Sequence, residues 1–288
     1  MAPKTSRYLA RLLKQLELDQ LDRDMFLGDP GSGDGRLFGG LVAAQAVVAG
    51  YRTVDNGVIH SMHSYFLRPG RHDVPIRFVV YRIRDGRTFT TRDVVAYQAG
   101  EAIFNVSTSY AKPESGISRQ EPMPDVPAPE KLPQWDFVRP DLNDDQRRWR
   151  RTRPIDLRAV DKEPYRDTPP HRRVWMRPKG ELPDDPIVHA AMIAYASDTG
   201  FLSTAHLALK MPTSWASSAS LDHTIWFHHP PRFDDWLLYT SYMPIAHNAR
   251  ALILGQMHAR DGAQVASVAQ EGLIRKPRAG KHSRPKRR

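Results

Sequence analysis

Two stretches, "GGLVAAQAVVAGYRTV" at residues 39–54 and "VHAAMIAYASDTGFLSTAHLAL" at residues 188–209, are apolar around nearly the whole helical circumference. A helix without a polar stripe cannot lie on a surface and has to be enclosed by other elements. Each stretch is followed by a segment rich in Val, Ile, Thr, Tyr and Phe, broken at Asp-Gly, Ala-Gly or Asn-containing turns. Such a segment reads as an antiparallel meander. The two copies are in register: Pro69 and Pro230 lie 161 residues apart, and the turn glycines Gly100 and Gly262 lie 162 apart. Two landmarks far apart in the chain keep almost the same offset, which points to a duplicated unit.

The expected class is α+β: two antiparallel sheets, each wrapped around one buried helix, a double hotdog. The first unit is placed at residues 1–112 and the second at residues 171–275. Between them, residues 113–170 are proline-rich and carry the run "RRWRRTR", so they read as a linker with little sheet of its own.

Charge sharpens the boundaries. The formal net charge is +10, but residues 275–288 hold eight Lys or Arg and no acid, which leaves +2 for everything before them. Residues 276–288 therefore read as a disordered basic tail, able to bind polyanions in a salt-dependent way but not to read a nucleic-acid sequence. The chain has no cysteine, which excludes disulfides, thiolate metal sites and a cysteine nucleophile. No apolar run reaches the ~18 residues of a membrane span, and no secretory leader is recognised. Leu9, Leu12, Leu13 and Leu16 share one helical face, read as packing rather than as a presequence. A cytoplasmic protein is expected.

Six blocks carry a specific resemblance: "GRLFGGLVAAQAVVAGYRTV", "HSMHSYFLRPG", "RDGRTFTTRDVVAYQAG", "YASDTGFL", "SLDHTIWFHHP" and "VASVAQEGLIR". In this order, from about Leu9 to Arg275, the chain resembles the type II acyl-CoA thioesterases. The resemblance implies hydrolysis of fatty acyl-CoA to free acid and CoA, with no cofactor and no metal, in a homo-oligomer. It implies three catalytic residues that position a water: Asp198 from "YASD", Ser220 from "SLDH" and Gln270 from "VAQEG". His63, in the strand block "MHSYFLRP", is a candidate for lining the acyl tunnel, with a core role as the alternative. A non-catalytic acyl-CoA-binding or protein-binding double hotdog is the competing function; the three polar residues argue against it.

The residues themselves support part of this. Asp198 follows the most apolar helix of the second copy, and a buried carboxylate costs several kcal/mol unless hydrogen-bonded. The first copy has Val47 or Val48 near that position and Thr108 near that of Gln270. A plain helix-capping role for Asp198, at the break before Gly200, is the competing reading. Strand alternation over residues 220–227 places His223 with Leu221, Ile225 and Phe227 on the core face, as a hydrogen-bonded structural histidine. The same alternation puts Ser220 on the opposite face, with Asp222. Either a bulge begins the strand, or the site lies across the sheet, or Asp222 matters more. His228 and His229 point apart and form a poor chelating pair. "HHPPRFD" misses the HHxxxD spacing of condensation acyltransferases by one residue, and "GDPGSGDG" at residues 28–35 lacks the Lys-Ser/Thr of a phosphate loop.

Overall fold

The computed structural model describes residues 5–134, 152–161, 171–211 and 218–275. Helix α1 (Arg7–Gln15) and the short hairpin β1 (Asp19–Asp22) and β2 (Met25–Gly28) precede the first buried helix, α2 (Gly39–Tyr51). The first meander follows as β3 (Val58–Phe66), β4 (Ile76–Asp85), β5 (Phe89–Gln98) and β6 (Glu101–Ala111). Strands β7 (Ile155–Ala159) and β8 (His171–Pro178) lead to α3 (Pro186–Ser197) and α4 (Leu202–Ala208). The second meander comprises β9 (Ser218–Ser220), β10 (Asp222–Phe227), β11 (Leu237–His247), β12 (Arg250–Ala259) and β13 (Gln264–Ile274).

Among the described residues all thirteen strands belong to one sheet, in the order β1-β2-β4-β5-β6-β3-β10-β13-β12-β11-β8-β7, with β9 alongside β13. The order is a palindrome about the β3–β10 contact: β6 mirrors β13, β5 mirrors β12 and β4 mirrors β11. The two expected sheets are thus the halves of one continuous antiparallel sheet, joined where Thr224 faces His63. Helices α2 and α3 pack against each other inside it, buried from Gly40 to Tyr51 and from His189 to Ser197. This is the double-hotdog arrangement.

Three sequence expectations are refined. The helix expected over 188–209 is interrupted by a turn at Asp198–Gly200, where Gly200 takes the left-handed conformation (φ +70°). Strand β7 lies inside the stretch read as linker and pairs with β8, so sheet begins well upstream of residue 171. Leu9, Leu12 and Leu16 are buried in the core, as a packing helix requires. The basic tail lies outside the described residues.

Candidate active site

The N-terminus of α2 and the C-terminus of α3 meet at the centre of the molecule. Gly39 and Gly40 permit the approach. A Cβ on Gly39 would lie 2.7 Å from the Phe66 ring and 3.1 Å from Asp198 Oδ2; one on Gly40 would lie 2.8 Å from the Tyr195 carbonyl oxygen. Phe38, the residue before the helix, offers no side-chain cap. The Gly40 N–H instead donates to Asp198 Oδ2 at 2.8 Å, across 158 residues of sequence. Asp198 occupies the C-cap of α3, where a carboxylate gains nothing from the helix dipole. Its side chain serves the other helix. The helix break therefore aims the carboxyl at α2, and the local-capping reading fails.

The question of Ser220 is answered by register. Strand β10 pairs with β13 so that Thr224 faces Ala269, whereas β9 pairs so that Ser220 faces Gly272. Four residues on one strand thus oppose three on the other. This one-residue bulge at Leu221 turns Ser220 to the inner face. Asp222 helps to hold the bulge: its carboxylate accepts the Glu271 N–H at 2.6 Å, while the Leu221 N–H donates to the Glu271 carbonyl at 2.9 Å. Asp222 is a framework residue.

Gln270, fully buried on β13, is the hub. Its Nε2 donates to Ser220 Oγ at 2.8 Å, and its Oε1 lies 2.6 Å from His223 Nδ1. Its amide also favours the ionised form of the Asp198 carboxyl. The structure therefore brings Asp198, Ser220 and Gln270 together with Gly40 of the first half.

Burial pushes the Asp198 carboxyl up to about 7, against the Gly40 N–H, the Arg153 guanidinium and the Gln270 amide, which all pull it down. A base that titrates near neutrality in a secluded site is matched to proton abstraction.

Two participants were not assigned roles from sequence. Arg153 was hidden in the "RRWRRTR" run, one basic residue among five. It is buried, its Nη1 donates to Thr199 Oγ1 at 3.0 Å, and its guanidinium lies 4.6 Å from the Phe38 ring centroid. Burial lowers it to about 10, so it stays cationic at neutral pH. His223 was read as structural; it is indeed fully buried on the core face, but its ring contacts Gln270 itself.

His63 is not brought to this cluster. Alternation along β3 leaves it exposed on the outer face of the sheet, edge-on to Trp226 at 5.4 Å between centroids. It takes no part in the core. His228 bonds Ser267 Oγ, and no group of three metal-ligating side chains exists among the described residues.

Fold and site together define a hotdog thioesterase-like protein, and comparison with known proteins supplies the family. The family model for acyl-CoA thioesterase matches residues 152–273, and that for the acyl-CoA thioesterase N-terminal domain matches residues 29–111. Acyl-coenzyme A thioesterase 8 of Mus musculus is 36% identical over 281 residues, covering 90% of this chain and 87% of that protein. Acyl-CoA thioesterase 2 of Haemophilus influenzae is 32% identical, covering 94% and 99%. The solved structure of the acyl-CoA thioesterase II TesB2 from Mycobacterium marinum superposes with a TM-score of 0.78 at 36% identity, covering 94% of this chain and all of that one. A tesB protein of Mycobacterium avium subs paratuberculosis reaches 0.81 at 31%, covering 93% and 100%. The chain belongs to the acyl-CoA thioesterase family.

Proposed function

We propose that this enzyme hydrolyses fatty acyl-CoA by direct attack of a water held between Asp198, Ser220 and Gln270. The observation that carries the reading is the convergence of these three side chains at the N-terminus of α2, which has no side-chain cap of its own. Asp198 accepts a proton from the water as its oxygen bonds to the thioester carbonyl carbon. Ser220 and the Gln270 amide fix the remaining hydrogen-bonding directions of that water. The tetrahedral oxyanion is met by the Gly39 N–H at the start of α2, where backbone dipoles favour negative charge. Collapse breaks the C–S bond. The CoA thiolate, whose conjugate thiol has a pKa of about 8.5, departs without a strong acid and takes up the proton. Free acid and CoA are the products, with no acyl-enzyme, cofactor or metal in the path.

A single turnover in ¹⁸O-labelled water tests the reading. Direct attack places the label in the first molecule of free acid. An anhydride on Asp198, opened by water at the Asp198 carbonyl, would leave the first product unlabelled and put the label in the Asp198 carboxylate, and is the outcome that sinks it. The reading includes a homo-oligomer acting in the cytoplasm. Tyr65 and Trp226, exposed by 59% and 40% on the outer face of the two central strands, support an assembly surface. The cytoplasmic location rests on the sequence reading alone.

A further inference from the structure

We infer that His223 is a positioning residue for catalysis, which fixes the Gln270 amide with its NH2 toward Ser220 and Asp198. The inference rests on the proposed role of Gln270. An amide side chain fits its slot in two orientations of nearly equal shape, and only one presents donors to the water site. His223 is what distinguishes them. Its Nδ1 lies 2.6 Å from Gln270 Oε1, and its Nε2 lies 2.8 Å from Ser197 Oγ.

The direction of the chain follows from its ends. An ionised Asp198 only accepts, so the end of Gln270 that faces it and Ser220 is the NH2 group. Oε1 then faces His223, and Nδ1 must carry the proton. Burial holds the imidazole down to about 4, so it is neutral and Nε2 is an acceptor. The Ser197 hydroxyl, 3.0 Å from the Ala194 carbonyl as well, satisfies that acceptor by turning its proton to Nε2. The order is Ser197 O–H to His223 Nε2, His223 Nδ1–H to Gln270 Oε1, and Gln270 N–H to Ser220 Oγ.

Two groups outside this hydrogen-bond series also hold His223 in place. Ser64 Oγ of the first half donates to the His223 carbonyl at 2.6 Å, and Phe201 lies edge-on to the ring. In the mirrored strands β3 and β6 the register pairs Met62 with Thr108. That pair matches His223 and Gln270 by the internal offset, and at these two positions the first copy carries neither amide nor imidazole. At this matched pair of positions, histidine and glutamine are present together in one half and absent together in the other.

The test compares His223→Phe with His223→Asn in the full-length enzyme, with Gln270→Ala assayed in parallel on the acyl-CoA preferred in a chain-length panel. Asn places an N–H donor close to where Nδ1–H lies; Phe has none. His223→Phe is expected to lower kcat about 30-fold, the scale of losing a group that orients a working side chain, and to leave KM within about 2-fold, as for an interaction used in the transition state. The acid limb of its rate profile should move to higher pH, because a freed amide presents its oxygen to Asp198. His223→Asn should recover most of the rate and return the limb. Gly40, Arg153, Tyr195 and Tyr239, the other polar groups facing Asp198, are unchanged in both. A folded His223→Phe enzyme with unchanged kcat, or an Asn variant no better than Phe, overturns the inference. Should the Phe variant not fold, Ser197→Ala decides. Loss of its hydroxyl frees the tautomer and is expected to lower kcat about 3-fold or more, and an unchanged kcat overturns the inference. If Gln270→Ala itself keeps the rate, the underlying reading of the site fails instead.

Discussion

The N-termini of the two buried helices are treated in opposite ways. That of α2 has no side-chain cap, begins with two glycines, and receives a carboxylate from the other half. That of α3 is closed by its own residues: Pro186 brings no N–H, and Asp185 accepts the Ile187 N–H at 2.8 Å. The strands differ in the same sense. Where the second half sets Gln270 beside His223, the first sets Thr108 beside Met62, and the Thr108 hydroxyl is spent on the Arg92 carbonyl at 3.2 Å. The C-cap of α2 is Arg52, a more exact counterpart of Asp198 than Val47 or Val48. A duplicated fold offers two mirror-related positions, and the proposed chemistry uses the helix end that lacks a cap of its own and faces a foreign acid. The other end has been made into ordinary framework.

The largest expected effect comes from removing the acid. Asp198→Ala should lower kcat at least ~100-fold, the scale of a lost positioned base, while the protein stays folded because polar neighbours can admit water to the space. Steady-state hydrolysis together with circular dichroism checks both. A folded variant at the original rate would make the two helix ends equivalent and erase the contrast.

Titration sharpens it. Asp198 must be ionised to act, so the rate should rise with pH, pass its midpoint near 7 and level off above that. Stability runs the other way. The folded carboxyl titrates higher than an unfolded one, so the folded state holds more protons in between, and stability is lost as pH rises from about 4 through about 7. Asp198→Asn removes that dependence. It should melt above the unsubstituted enzyme at pH 8 and converge with it toward pH 4, as calorimetry across that range would show. A melting difference independent of pH would mean that Asp198 is not desolvated.

The closed end should matter only to stability. Asp185→Ala is expected to cost about 1 kcal/mol, the usual worth of an N-cap, with kcat within about 2-fold, read from denaturant melts and kinetics. A large loss of kcat would reveal a second working site. Smallest of all, Thr108→Val should leave kcat unchanged and cost about 1 kcal/mol or less for the lost hydrogen bond.

Much of this was legible in the chain, because it depends on short-range pattern. Apolarity around the whole helix forces enclosure, and β-rich segments of matched offset repeat the unit. Both hold whatever the rest of the chain does, so the double hotdog followed from them. Asp198, Ser220 and Gln270 were reached through the resemblance of their blocks. Period-two alternation sent His223, Ile225 and Phe227 inward correctly, since β10 is regular there. The same rule, applied one residue upstream, put Ser220 on the wrong face. It assumes a constant register, and the bulge at Leu221 breaks it.

Only tertiary structure decided the rest. His63 lay in a matching block, yet its parity on β3 sends it to the outer surface. The Gly40 N–H reaches Asp198 across 158 residues, and Arg153 comes from a run in which no basic residue stood out. His223 passed for ordinary core because burial and hydrogen bonding are common to framework and positioning histidines. What separates the two is the identity of the atom at the other end of the bond, and that is set by the β10–β13 register rather than by anything near His223 in sequence. Propensity and pattern determine which elements form and which face is buried. The meeting of distant polar atoms at hydrogen-bond distance depends on shifts of a single residue or an ångström, which no local pattern encodes.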